Sequence, residues 1–241
     1  MEVLFFLAAF FSEIIGTIAG FGSSTIFLPL ALLFFDFQTA LVLVAFFHIV
    51  GNRGRISFFK KGLDKGLLIK FGIPSVIFTL IGAFLVSYTS QSTLKSILGA
   101  FLIVYAVYSL WKENFRIKAS SISAIVGGGL SGFFAGLIGT GGALRGAFLT
   151  GFGLSKDTYV ATTAAIALAV DITRIPVYLS QGFFENKYYW YLPILFALAI
   201  AGSFTGKKIL NKFSYKMFRK IVLIAILLIG IKFIFDWATL L

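Results

Sequence analysis

Gly132-Phe133-Phe134-Ala135-Gly136-Leu137-Ile138-Gly139-Thr140-Gly141-Gly142 is the stretch that decides how this chain folds. It ends a long apolar run with five glycines, and only a short apolar piece, 143–152, follows before the next long run opens at Lys156. A bilayer core of about 30 Å needs about 20 helical residues. At about 1.5 Å per residue the short piece reaches only part way. The stretch therefore predicts a broken helix or a re-entrant hairpin. The same arrangement stands near the start of the chain. There Gly16-Thr17-Ile18-Ala19-Gly20-Phe21-Gly22 precedes another short piece, 24–35.

The two breaks belong to an internal repeat. Ser12, Gly16 and Gly20 stand four apart, and Gly128, Gly132 and Gly136 follow them 116 residues later. This spacing lines small side chains along one helix face, where another backbone can come close; packing is the favoured reading of these ladders. Asn52-x-x-Arg55 aligns with Asp171-x-x-Arg174 and Pro74 with Pro193, both at an offset of 119, and Gly82 with Gly202 at 120. Matches in one order with a slowly drifting offset indicate duplication. The apolar segments divide accordingly. The first half holds 3–19, 24–35, 38–59, 67–87 and 93–111, and the second holds 120–137, 143–152, 156–179, 188–206 and 215–237.

Composition sets the solvent. Hydrophobic residues make up 59% of the 241 and charged residues 12%, where a soluble domain carries about a quarter charged. A water-soluble core of this size would lack the polar residues to cover it. In lipid the backbone must satisfy itself as helices or a closed barrel, and long unbroken apolar runs favour helices. The N-terminus has neither a basic region nor a small-residue cleavage site, so it reads as a first helix rather than a signal peptide. There is no cysteine and one histidine, which excludes disulfides and thiol nucleophiles and leaves no metal or cofactor site to expect. The net charge of +12 lies largely in short loops, as lipid-facing topology demands, and no nucleic-acid motif accompanies it.

Those loops predict orientation. Lys60, Lys61, Lys65 and Lys70 mark one cytoplasmic side, as do Lys112, Arg116 and Lys118, and Lys207, Lys208, Lys212, Lys216, Arg219 and Lys220. The regions 88–95 and 180–187 are poor in basic residues and belong outside. Working backwards places the N-terminus outside and the start of the second half inside. Five segments per half is an odd number, so the halves are predicted to be inverted. The expected organisation is a first transmembrane repeat over 1–111, a cytoplasmic linker over 112–118 and a second, inverted repeat over 119–241.

Inverted repeats with interrupted helices point to a secondary transporter whose site lies where the breaks meet. Helix starts at the breaks offer N–H groups to an anion: Gly22, Ser23, Ser24 and Thr25 in one half, Gly139, Thr140, Gly141 and Gly142 in the other. Charges inside a membrane are costly and are functional candidates by default. Arg145, in the second short helix, could fix an anion, or pair with an acid. Asp171 and Arg174 lie one turn apart and can pair; Asn52 is the first-half counterpart of Asp171, with Arg53 beside it. Arg53 and Arg55 also stand close enough to a basic loop to snorkel. Glu13 is the proton-coupling candidate, the alternative being a partner for one of the arginines. For His48, packing between helices outweighs titration, and for Thr162 and Thr163 hydrogen bonding back onto their own helix outweighs lining a pathway. Tyr188, Tyr189, Trp190 and Tyr191 suit an interfacial belt.

Ala19-Gly20-Phe21-Gly22-Ser23-Ser24 with Pro29, Ala135-Gly136-Leu137-Ile138-Gly139-Thr140-Gly141-Gly142, Val160-Ala161-Thr162-Thr163 and Gly202 together resemble the TauE/SafE sulfite exporter family, within the toluene-sulfonate uptake permease superfamily. The likeness covers nearly the whole chain. Two places depart from the family's pattern: Arg145-Gly146 stands where a small apolar residue and a proline are usual, and Phe46-Phe47-His48 where a Thr-Ser pair is. The resemblance implies export or uptake of a sulfur-containing anion such as sulfite, sulfoacetate or another sulfonate across the cytoplasmic membrane. An anion channel is the main alternative. A membrane-embedded enzyme is the weaker one, because no nucleophile–base set or metal cluster is visible. The expected partners are a small anion, the bilayer and, as an open option, further copies of the same chain.

Overall fold

The computed structural model describes residues 2–19, 22–58, 62–111, 117–209 and 215–238. Throughout them the regular structure is helical, without strands. In chain order the helices are α1 (Glu2–Ala19), α2 (Ser24–Ala31), α3 (Phe37–Phe58), α4 (Lys65–Tyr88), α5 (Gln91–Trp111), α6 (Ser121–Ile138), α7 (Gly142–Leu149), α8 (Lys156–Ser180), α9 (Tyr191–Ile209) and α10 (Tyr215–Ala238). Every one falls on an apolar segment expected from the sequence. Among the described residues, six of them (α3 to α6, α8 and α9) are long and apolar enough to cross a membrane. Lys60, Lys61, Lys112, Arg116 and Lys212 lie outside the described residues, as do Gly20, Phe21 and most of the 112–118 linker.

Local chemistry explains the ends. The short helices α2 and α7 have eight residues each. The chain enters them through two glycines in the left-handed region, Gly22 at φ 88° and Gly139 at φ 71°. A side chain at either position would be strained. Gly139 caps the C-terminus of α6, whose start is fixed by a Ser120–Ser123 capping box. Helix α4 begins earlier than the hydropathy suggests, because the Asp64 carboxylate accepts from the Leu67 N–H at 2.9 Å. A π turn over Leu68–Gly72 then precedes Pro74. Proline lacks an N–H and crowds the carbonyl four residues back, and a widened turn accommodates both.

Packing runs between the two halves of the chain. Helix α1 lies along α9, and α4 lies along α6; α3 crosses α8, and α5 pairs with α10. Helix α3 also touches α9, as α8 touches α4, while α2 meets α7. The second-half glycine ladder is a packing device, as its spacing suggests. A methyl group on Gly128, Gly132 or Gly136 would run into the carbonyl oxygens of Phe71, Ser75 and Thr79 respectively. Ser75 Oγ and Thr79 Oγ1 donate across this interface to the carbonyls of Gly128 and Gly132, at 3.0 Å each. On α9, Gly202 and Gly206 give the same close approach to Glu13 and Thr17 of α1. Large apolar side chains such as Leu4, Ile77, Val104, Ile125, Ile200 and Leu228 point outward, the pattern of a surface solvated by lipid rather than water.

Candidate anion site at the meeting of the two breaks

The two glycine breaks, far apart in sequence, touch. Thr25 Oγ1 at the start of α2 and Thr140 Oγ1 before α7 are 2.8 Å apart and hydrogen-bonded. Beside this contact lies a small cavity of about 30 Å³. Gly22, His48, Asn52, Arg55, Gly142, Arg145 and Thr163 are among the residues lining it. The N-terminus of α7 opens onto it at Gly142, which brings the positive end of the helix dipole to the cavity wall.

Charge is arranged in two anchored pairs and one remainder. Arg55 reaches Glu13 at 2.6 Å, donates to Asn52 Oδ1 at 3.0 Å and lies 3.4 Å from both Thr17 Oγ1 and Ser23 Oγ. Glu13 also accepts from Ser203 Oγ at 2.6 Å. Its carboxylate fits only because Gly51 and Gly202 flank it: an added methyl would lie 2.6 Å from Glu13 Oε1 in one case and 2.8 Å from its Cβ in the other. Asp171 is held by Arg174 at 2.7 Å, His48 Nδ1 at 2.8 Å and Asn52 Nδ2 at 3.2 Å. Arg174 donates onward to the Ala135 carbonyl at 2.7 Å, and the Tyr178 hydroxyl donates to the Gly136 carbonyl. These bonds satisfy carbonyls that the end of α6 leaves without helical partners. Arg145 is the remainder. It is buried, it lines the cavity, and among the described residues no carboxylate lies within ion-pair distance of it. Three buried guanidinium groups face two buried carboxylates, so with His48 neutral the site carries one uncompensated positive charge. Unpaired buried charge is costly, and an anion in the cavity would supply the missing partner.

The sequence-predicted residues divide into three groups. Gly22, Asn52, Gly142 and Arg145 line the cavity. Ser23, Ser24, Thr25, Gly139, Thr140 and Gly141 form the buried frame behind it. In that frame Ser131 Oγ donates to the Gly141 carbonyl at 2.9 Å, securing the second break against α6. Asp171 and Arg174 hold His48 and Asn52 in place from α8. Arg53 is the correction: it is exposed and takes no part in the cavity. Its neighbour Arg55, two residues on and therefore roughly on the opposite helix face, is the buried one. Glu13 stands behind the cavity wall as the partner of Arg55, the alternative weighed for it, rather than as a free acid facing the substrate space.

Four cavity residues were missed or given a bland role in the sequence: Arg55, His48, Thr17 and Thr163. His48, Asn52 and Arg55 stand four and three apart, one face of a helix, and that spacing was the available signal. Thr163 does bond back to the Tyr159 carbonyl at 2.8 Å, and it lines the cavity as well. Thr162 faces elsewhere and accepts from the Asp64 N–H at 3.0 Å.

Fold and site together define a multi-pass helical membrane protein with a positively charged cavity at two facing helix breaks. The sequence matches the family model described as sulfite exporter TauE/SafE over residues 5–233, and the chain belongs to that family. It is thus a membrane protein of a transporter family. No curated protein and no solved structure matches the chain.

Proposed function

We propose that this protein is a secondary transporter that carries a small anion across the cytoplasmic membrane, coupled to another ion, through the cavity between Gly22 and Gly142. One observation carries the reading: Arg145, buried and without a carboxylate within ion-pair distance, faces a small cavity between the two breaks, near the start of a short helix. Family membership favours a sulfur-containing substrate, whether sulfite, sulfoacetate or another organosulfonate. Arg145 and the α7 N-terminus provide the attraction, and the second amide N–H of Asn52, beside the one given to Asp171, provides a directional hydrogen bond. Arg55, neutralised by Glu13, shapes another part of the wall.

Alternating access needs two halves that rock about the site. We infer that α1–α5 and α6–α10 are inverted repeats. The reciprocity of their contacts supports this: α1 on α9 is matched by α6 on α4, α3 on α9 by α8 on α4, and α2 on α3 by α7 on α8. The pairs α2–α7, α3–α8 and α5–α10 are their own counterparts.

Purified protein in liposomes, offered sulfite, methanesulfonate and acetate under imposed pH gradients, tests the reading. Saturable uptake of at least one anion is expected. Removing a buried charge from its ligand costs several kcal/mol, so Arg145→Ala should lower that uptake by about a hundredfold while the protein remains monodisperse. Wild-type uptake rates in that variant would overturn the role of Arg145.

A further inference from the structure

His48 carries a side-chain nitrogen in the cavity wall whose bonding is incomplete. The side chain is 3% exposed. Its Nδ1 lies 2.8 Å from Asp171 Oδ2, and its Nε2 is buried without a hydrogen-bond partner. Nε2 also looks toward the seam between the breaks: a methyl group built on Gly22 would stand 3.6 Å from it and 4.0 Å from Gly142 Cα. Asp171 is acceptor-only, so it orients the ring with the proton on Nδ1. Neutral His48 therefore turns a bare lone pair toward the cavity. That lone pair repels an anion's oxygen. Protonated, the same atom donates to it.

The charged groups nearest His48 come from the helices packed around α3, and α8 also brings the phenols of Tyr159 and Tyr178 to the same charges. Helix α8 contributes Asp171 and Arg174, and α7 contributes Arg145. Arg55 lies on α3 itself, and α1 reaches the site through Glu13, which is paired with Arg55. Helix α2 offers only hydroxyls and backbone. On α9 the charges are Lys207 and Lys208 in the last turn, and on α5 the one charge is Lys95 in the first turns. With His48 neutral, the site balances one negative charge. A dianion in it leaves one negative charge uncompensated in a buried place, and one proton on Nε2 restores balance.

We propose that His48 is the proton-binding residue of the site: a doubly charged oxyanion enters together with one proton held on His48 Nε2, whereas a singly charged one enters without it. This rests on the anion-transport reading and deepens it. It also moves the coupling role from Glu13, which is fixed behind the wall, to a residue that faces the substrate space.

Two non-titrating probes separate the cases: sulfate, a dianion, and methanesulfonate, a monoanion. Calorimetry of the wild-type protein in buffers of different ionisation enthalpy counts protons taken up on binding. About one is expected for sulfate, and none for methanesulfonate, at a pH where His48 is neutral in the empty protein. Linkage then makes the ratio of sulfate to methanesulfonate affinity fall up to about tenfold per pH unit there. In His48→Gln, which keeps the shape without the basic nitrogen, this ratio should become independent of pH. Equal proton counts for the two anions in the wild type, or a ratio in His48→Gln that still follows pH, would overturn the proposal alone. Absence of binding and of uptake for every anion in the wild type would overturn the transport reading, and this proposal with it.

Discussion

Glu13 and Arg55 meet at 2.6 Å in a niche walled by Gly51 and Gly202, and both are buried. Removing one partner of such a pair strands a buried charge, at a cost of about 3–5 kcal/mol. Glu13→Gln should therefore lower thermal stability in detergent sharply. The double variant Glu13→Leu with Arg55→Met should recover most of that loss, because apolar replacements of similar volume restore packing without charge. A double variant no more stable than the single one would show that the pair is not coupled. The same two residues mark where sequence reading stopped. Arg55 was legible as half of an Asn-x-x-Arg pattern, yet Arg53 took the role of site residue. On a helix this apolar there is little amphipathic signal to give the phase, so which of two arginines turns inward is decided by the neighbouring helices. Asp171 and Arg174, one turn apart, needed no phase to be read as a pair. The partners of Glu13 and His48 lie on other helices and could not be read from one segment.

At the scale of elements, α6 shows how much a spacing of four can specify. Gly132 sits on the Ser75 carbonyl, with no room for a methyl group, while Gly129, three residues earlier, would place one 3.4 Å from the Phe78 ring, an ordinary contact. Gly132→Ala should cost about 1–3 kcal/mol through overpacking, and Gly129→Ala about 0.5 kcal/mol or less. Chemical unfolding of the two variants side by side checks the difference; equal losses would mean that close approach of α4 and α6 is unimportant. Helix positions were legible for a plain reason. The long apolar runs exceed what a soluble protein carries, and glycines or charges end them. The π turn before Pro74 was not legible, because the sequence shows where a helix must yield but not how. That the breaks would touch through Thr25 and Thr140 also lay beyond the reading, since contact between short helices depends on the assembled bundle.

The molecule as a whole is expected to place Ser90 and Asn186 on one side of the membrane and Lys65 and Lys118 on the other, following the loop charges. The chain contains no cysteine, so each site can be tagged singly. All four positions are exposed. A membrane-impermeant maleimide added to intact cells should label Ser90→Cys and Asn186→Cys but not Lys65→Cys or Lys118→Cys; labelling of Lys118→Cys from outside would refute the orientation. The exchange of partners between the two halves of the chain was not readable, because sequence order cannot tell which helix of one half receives which of the other. That exchange bears on synthesis. Helices α1 and α4 find their main partners, α9 and α6, only when the second half has been made. While the first half waits in the bilayer, the flank of Glu13 that α9 will cover and the glycine-fitted face of α4 have nothing against them. Insertion of the early helices is therefore separated in time from their docking, and that interval is when membrane quality control has its opportunity to act.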